Sequence, residues 1–285
     1  MGVSLAGGKG HSLLAECPGV LLQFFDTRQA CALRLVCREF QAAVAAYPWE
    51  DRGTVILGSI GGWRACFPRA RCANVNKLRR VSPVVDADFL HFVGLWELNM
   101  THCRAVTDAA FVHLQGIRVL DMSFCNQPTI TDAGLAHLVG IQKLSIWCCD
   151  QATLTDAAFA PLRGLRVLNM GYCRLLTDAA FVHLKGIHTL SMEGCSQPTI
   201  TDAALAHLKG IQCLVLMGCS IPFTEVGLVH LRGIARLHMT DVNAATVAAA
   251  RDLGLPATTG GLTEWSAFRF SDAESGPWPT GAEWM

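Results

Sequence analysis

The chain has 285 residues, 51% of them apolar and 16% charged, with a formal net charge of +0. That is enough apolar material for a large core, and it leaves no electrostatic footprint for nucleic acid or an anionic membrane surface. No uninterrupted apolar run approaches the ~18 residues of a membrane-spanning helix, and the opening MGVSLAGGKG lacks the apolar core of a signal peptide, so a soluble cytoplasmic or nuclear protein is expected.

Residues 1–11 are Gly-rich and read as a flexible start. Gly8-Lys9-Gly10 does not make a phosphate-binding loop: Val3 stands five places before Gly8, and Gly10 stands where Ser or Thr would bind magnesium. Residues 12–51 carry no repeat. Leu21, Leu22, Phe24 and Phe25 form one apolar cluster. Leu33, Val36, Cys37 and Phe40 follow at 3-1-3 spacing, the apolar face of a helix. Residues 42–46 continue that helix, and Pro48 ends it. Two or three short helices are predicted.

This segment resembles an F-box, a family that reads L-P-x-E-L-L near its start and L-R-x-V-C-[KR]-x-[WF] near its end. Pro18 and Leu21-Leu22 match the first part; Leu33-Arg34-Leu35-Val36-Cys37-Arg38-Glu39-Phe40 matches the second. Cys17 replaces the Leu before Pro18, and Val20 replaces the Glu. The resemblance implies docking on a Skp-type adaptor of a cullin–RING ubiquitin ligase, through Pro18, Leu21, Leu22, Leu33, Leu35, Val36, Cys37 and Phe40. The alternative is a helical cap over the open end of whatever follows, since terminal repeats need covering.

Residues 52–83 form a connector or a first irregular repeat. Val55-Ile56-Leu57 suits a first strand, and Trp63, Phe67 and Cys72 suit the join. Arg64, Arg69, Arg71, Lys77, Arg79 and Arg80 make this the most basic stretch: either a solvated face or a site for an acidic partner.

From residue 84 to 254 one unit recurs. Copies begin at Gly94, Gly116, Gly140, Gly164, Gly186, Gly210 and Gly233, after a half copy at 84–93. In GIHTLSMEGCSQPTITDAALAHLK, Leu190 and Met192 are two apart, which suits a strand with one buried face. Leu205 and Leu208 are three apart, which suits a helical turn. Thr201 is placed to cap that turn, Asp202 sits at the positive end of its dipole, and Gly210 stops it. One unit is too small to bury its own apolar face, so the units must stack and share a core.

The pattern resembles the cysteine-containing leucine-rich repeat, L-x-x-L-x-L-x-x-C followed by L-T-D-x-x-L. The expected fold class is therefore α/β: a leucine-rich-repeat solenoid with parallel strands on its concave face and helices on its convex face, preceded by a small all-α F-box-like segment. Cys103, Cys125, Cys149, Cys173, Cys195 and Cys219 share one repeat position and read as a buried column of thiols rather than as disulfides or metal ligands. His91, His113, His137, His183, His207 and His230 share another. Pro161 breaks their column, and they read as outer-face side chains rather than a metal ladder.

Residues between the buried strand positions point out of the concave sheet. His102, Phe124, Trp147 and Tyr172 gather there, either as a client-binding cluster or as rings stacked to cover the sheet. Asp121, Glu193 and Met217 join the expected client surface, the two carboxylates giving it an acidic trend that suits a basic signal on a protein client. Residues 255–285, with three tryptophans, read as a tail or a cap over the last coil. No Ser/His/Asp or Cys/His set can be placed from spacing, so a non-catalytic protein without cofactor or metal is expected. The resemblances imply a substrate receptor of a ubiquitin ligase; the alternative is a stand-alone repeat scaffold.

Overall fold

The structure is a computed structural model and describes residues 22–50, 55–56, 58–78 and 82–259. Residues 1–21, with Pro18 and Leu21, and residues 260–285 lie outside the described residues, as do Leu57, Arg79 and Arg80.

The first described segment folds around a small core. Asp26 caps helix α1 (Thr27–Leu33) in a reciprocal box: the Gln29 N–H donates to Asp26 Oδ1 at 2.7 Å, and the Asp26 N–H to Gln29 Oε1 at 3.0 Å. Helix α2 (Arg38–Ala46) ends before Pro48, whose ring cannot continue it. Leu22, Ala30, Val44, Trp49, Phe67 and Ala70 bury one another. The Trp49 indole N–H satisfies the Val44 carbonyl at 2.8 Å. Phe67 follows helix α3 (Ile60–Cys66), so the connector closes this core.

Next come, among the described residues, nine strands: β1 (Cys72–Asn74), β2 (Glu97–Asn99), β3 (Val119–Asp121), β4 (Lys143–Ser145), β5 (Val167–Asn169), β6 (Thr189–Ser191), β7 (Cys213–Val215), β8 (Arg236–His238) and β9 (Ala257–Thr258). They pair in parallel and in chain order, each with the next. The expected strand at 55–57 is reduced to a bridge from Val55 to Asn74; the strand proper is Cys72–Asn74. Register holds one leucine in line from Leu98 through Leu120, Leu144, Leu168, Leu190 and Leu214 to Leu237. Leu190 and Met192 are fully buried, as their two-residue spacing requires. One core runs the length of the solenoid, from Ile56 to Leu255.

The convex layer is made of single turns rather than long helices, such as Asp108–Phe111 running into a 3-10 turn at Val112–Leu114. Each turn stops at a glycine with φ between 81° and 88°, from Gly94 to Gly233, a left-handed conformation that only glycine adopts without cost. Thr201 caps its turn by accepting from the Ala203 N–H at 3.2 Å. The aspartate beside it does more than meet the dipole. Asp178 accepts from both the N–H and the hydroxyl of Thr201 on the next rung, and the same pair of hydrogen bonds joins Asp86 to Thr107, Asp108 to Thr131, Asp132 to Thr155, Asp156 to Thr177 and Asp202 to Thr224.

The cysteines form the expected buried column, and they too join the rungs. Cys125 Sγ donates to the Met100 carbonyl at 3.3 Å, Cys149 to Met122 at 3.2 Å and Cys173 to Ile146 at 3.1 Å. Burial pushes the Cys103 and Cys195 thiols up to about 12, so the protonated, donating form persists at neutral pH. The last helix among the described residues, Ala244–Asp252, is followed by β9, an additional strand in a stretch that reads as tail from its composition.

Candidate interaction surface

The concave face is built by the turn that follows each strand. The side chain inside the L-x-M pattern accepts from the N–H two residues on: Asn99 Oδ1 from Thr101 at 3.1 Å, Asp121 Oδ1 from Ser123 at 3.0 Å, Asn169 Oδ1 from Gly171 at 3.1 Å. The next residue then takes a positive φ: 64° at His102, 61° at Phe124, 57° at Cys148 and 58° at Tyr172. That conformation costs an L-residue roughly 1–2 kcal/mol. It is held because each N–H reaches the following rung, His102 to the Ser123 carbonyl at 2.9 Å, Phe124 to Trp147 at 2.8 Å and Tyr172 to Glu193 at 2.7 Å.

The result is a continuous ladder of rings. His102 stacks on Phe124, centroids 4.1 Å apart and planes 9° from parallel. Phe124 meets Trp147 edge-on at 4.7 Å, and Trp147 meets Tyr172 edge-on at 5.4 Å. All four rings are half-buried, so they cover the sheet and still present a surface. Small residues make room for them. A Cβ on Gly171 would stand 2.5 Å from Trp147 Cδ1, and one on Gly194 would collide with the Tyr172 ring. The ladder ends there: Gly194 and Gly218 continue its row with no side chain.

Of the expected client residues, the structure brings His102, Phe124, Trp147 and Tyr172 together and corrects two others. Asp121 is 9% exposed and accepts three bonds, from the Ser123 N–H, the Ser123 hydroxyl at 2.5 Å and Asn99 Nδ2 at 3.3 Å. Burial raises its pKa against those bonds, so it is a turn staple under the ladder and not an acidic hook. Met217 is also only 9% exposed, in a cluster with Cys213 and Val215. Glu193 is half-buried, its carboxyl likewise raised by burial. With Asp121 taken below the surface, Glu193 is the one of the two expected carboxylates that reaches this face.

Toward the N-terminus the expected docking residues divide. Leu22 is 1% exposed, a core residue and not a contact. Leu33 is half-buried against the same core, and Phe40 is half-buried. Leu35, Val36 and Cys37 face solvent in the turn between α1 and α2, Leu35 88% and Val36 66% exposed. Phe24, absent from the expected set, is 75% exposed near the start of the described segment; its place in the run Leu21–Phe25 is the signal that marks it. The basic stretch is largely used internally. Arg64 donates to the carbonyls of Ala70 and Val93, Arg69 to that of Ala46, and Arg71 pairs with Glu50 at 3.0 Å while lying 4.1 Å over the Trp96 ring. The repeated histidines stand half-buried or exposed on the helical layer. No helix among the described residues is long and apolar enough to cross a membrane.

No protein-family model matches the chain, and no curated protein matches it. Solved structures do. The internalin inlF of Listeria monocytogenes is 19% identical over 87% of this chain and 79% of its own, with a TM-score of 0.55. TLR13, solved with ssRNA13, is 18% identical over 63% of this chain, TM-score 0.48, and a chain of the yeast Rad7–Elc1 complex is 19% identical over 62%, TM-score 0.41. This chain spans 26% of the first of those two and 44% of the second. At such identities a likeness shows the fold and nothing finer. The inlF likeness and the nine ordered parallel strands agree: the chain is an α/β leucine-rich-repeat solenoid.

Proposed function

We propose that this chain is a non-catalytic substrate receptor of a Skp–cullin–F-box type ubiquitin ligase. Its helical N-terminal segment docks on the Skp-type adaptor through Phe24, Leu35 and Val36, and the ring ladder from His102 to Tyr172 holds a protein client. Its effect is proximity: it raises the client's effective concentration beside the ligase.

One observation carries the reading. In the segment that resembles an F-box, the motif's own Leu35 and Val36 are exposed, while Leu22, Ala30 and Val44 close its core without them. A segment serving only as a cap would turn those side chains onto the solenoid. Apolar side chains held out of a core that does not need them are what a partner surface requires. The client end is supported by half-buried rings fixed on a rigid sheet, the kind of aromatic anchor that dominates interface energetics.

The test is binding of the full chain to a purified Skp-type adaptor. Wild type should bind, and Leu35→Asp/Val36→Asp should lose at least about tenfold in affinity, since burying two unpaired charges is costly. Adaptor binding by neither protein would reject the docking and leave a stand-alone repeat scaffold.

A further inference from the structure

Parallel strands in one register put every turn that enters a strand on one edge of the solenoid and every turn that leaves a strand on the other. The formal charge of +0 hides how the two edges differ. The six turns entering β3 to β8, residues 115–119 through 232–236, hold eight Lys or Arg and no Asp or Glu. The six turns leaving β2 to β7, residues 101–108 through 217–225, hold eight Asp or Glu and two Arg. A strand of three residues, about 10 Å, separates the edges, and salt screens a charge over roughly 8 Å, so each edge presents its own field. On the entry edge the residue before each positive-φ glycine reads Val93, Gln115, Val139, Arg163, Lys185, Lys209 and Arg232: apolar or neutral, then cationic over four successive rungs. Complementing the helical turns does not require those cations, since Val93, Gln115 and Val139 end the same turns. The side chains of Arg118, Arg163, Lys185, Lys209 and Arg232 are exposed, and among the described residues no hydrogen bond or ion pair holds them. Arg64, Arg69 and Arg71, by contrast, bond within the chain. At the apolar end Val93, Trp96 and Val139 are 52%, 51% and 65% exposed.

We propose that the entry edge is a docking surface for an acidic protein segment with an apolar end. The segment lies along the rungs, its carboxylates on Arg163, Lys185, Lys209 and Arg232 and its apolar residues on Val139, Val93 and Trp96. From Val93 to Arg232 the edge runs about 29 Å, which about nine extended residues span. Charge complementarity fixes the sign of the partner, because no carboxylate on these turns competes for the cations. The apolar half fixes its class. A nucleic-acid backbone is held by charge alone and has no use for exposed valines. A tryptophan and valines in line with arginines have the make-up of a protein interface. The edge lies at the opposite ends of the strands from the ring ladder and does not involve Leu35 or Val36, so its test is separate from that of the proposed function.

The probe is a fluorescent peptide of about ten residues, two leucines followed by glutamates, titrated with the full chain by anisotropy. Wild type should bind it at least about fivefold more tightly than an all-glutamate peptide of the same length, and more tightly than single-stranded DNA of matching charge. Affinity should fall as salt rises from about 20 to about 300 mM. Arg163→Glu/Lys185→Glu/Lys209→Glu/Arg232→Glu should lose at least about tenfold. Arg28→Glu/Arg104→Glu/Arg174→Glu/Arg251→Glu makes the same change in net charge at exposed positions off this edge and should bind within about twofold of wild type. No binding by wild type overturns the proposal, as does equal loss in both variants or loss in neither. DNA binding as tight as the peptide's overturns it too, because the edge then reads charge alone. A photo-reactive leucine in the probe should crosslink to the wild-type chain within residues 93–96 or 139–142. If the first variant fails to fold, that position decides, and crosslinks confined elsewhere overturn the proposal.

Discussion

Asp178 and Thr201, on successive rungs, are joined twice: the Thr201 N–H donates to Oδ1 at 2.8 Å and its hydroxyl to Oδ2 at 2.6 Å. The hydroxyl also accepts from the Ala203 N–H at 3.2 Å, so one threonine caps its own turn and ties it to the turn before. Six such pairs run down the described convex face, and they hold rungs together where the helical turns are too short to pack as helices do.

Breaking one pair should be felt. Thr201→Val keeps the shape and removes both the cap and the hydroxyl bond. Because the site is exposed, water replaces part of the loss, and we expect about 1–2 kcal/mol of destabilisation in urea unfolding. Thr201→Ser, which keeps the hydroxyl, should recover most of it.

The repeat length, the glycine stops, the strand register and the cysteine column were all legible in the sequence, because each is a property of one unit read against its copies. The Asp178–Thr201 bond was not. It joins residues 23 apart on different units, and within one unit the Thr-Asp pair already has a sufficient local explanation as cap and dipole partner. Asp121 misled for a related reason. Alternation places it on the concave face, but only coordinates show Ser123 and Asn99 closing over it. Leu22 and Leu35 sit in equally good motif positions, and nothing in their spacing tells which one the small core takes. β9 follows Gly254-Leu255, which repeats the glycine and apolar opening of the copies, but by spacing Thr258 stands where the strand leucine would be, so the rung is hard to recognise from its residues.

Asp121 gives a prediction with a definite sign. Its pKa in the folded chain is raised by burial. The native state therefore holds its proton more tightly than the unfolded chain does, and its contribution to stability falls as pH rises from the ordinary value of 3.8 through the folded pKa. Above that window the buried charge is a cost. Asp121→Asn keeps the Oδ1 acceptor for Ser123 and gives up a carboxylate oxygen facing Asn99 and the Thr101 side chain, so stability at pH 7 should be equal or higher by up to about 1 kcal/mol. Asp121→Ala, which leaves the Ser123 N–H without its acceptor, should lose about 1–3 kcal/mol. Urea midpoints across pH 4–8 check both.

Leu22 and Leu35 should separate packing from docking. Leu22→Ala opens the small core and should cost about 2–5 kcal/mol. Leu35→Asp, at an 88% exposed position, should change stability by less than about 0.5 kcal/mol.

Gly171→Ala should disturb the ladder without touching the core. The new methyl would meet Trp147 Cδ1 and Nε1, and the ring must leave its place against Phe124 and Tyr172. With two edge-on contacts worth about 0.5–1.5 kcal/mol each at risk, we expect a changed near-UV circular dichroism signal and a loss of about 1–2 kcal/mol. An unchanged spectrum would mean the indole is not held over Gly171.

The two surfaces are proposed to work independently, and one measurement addresses that most directly: quantitative co-purification from cells of the full chain, of Leu35→Asp/Val36→Asp and of Trp147→Ala/Tyr172→Ala. The account predicts that the first variant loses the Skp-type adaptor and keeps client proteins, while the second keeps the adaptor and loses clients. Loss of both partners in either variant, or of neither in both, would contradict it.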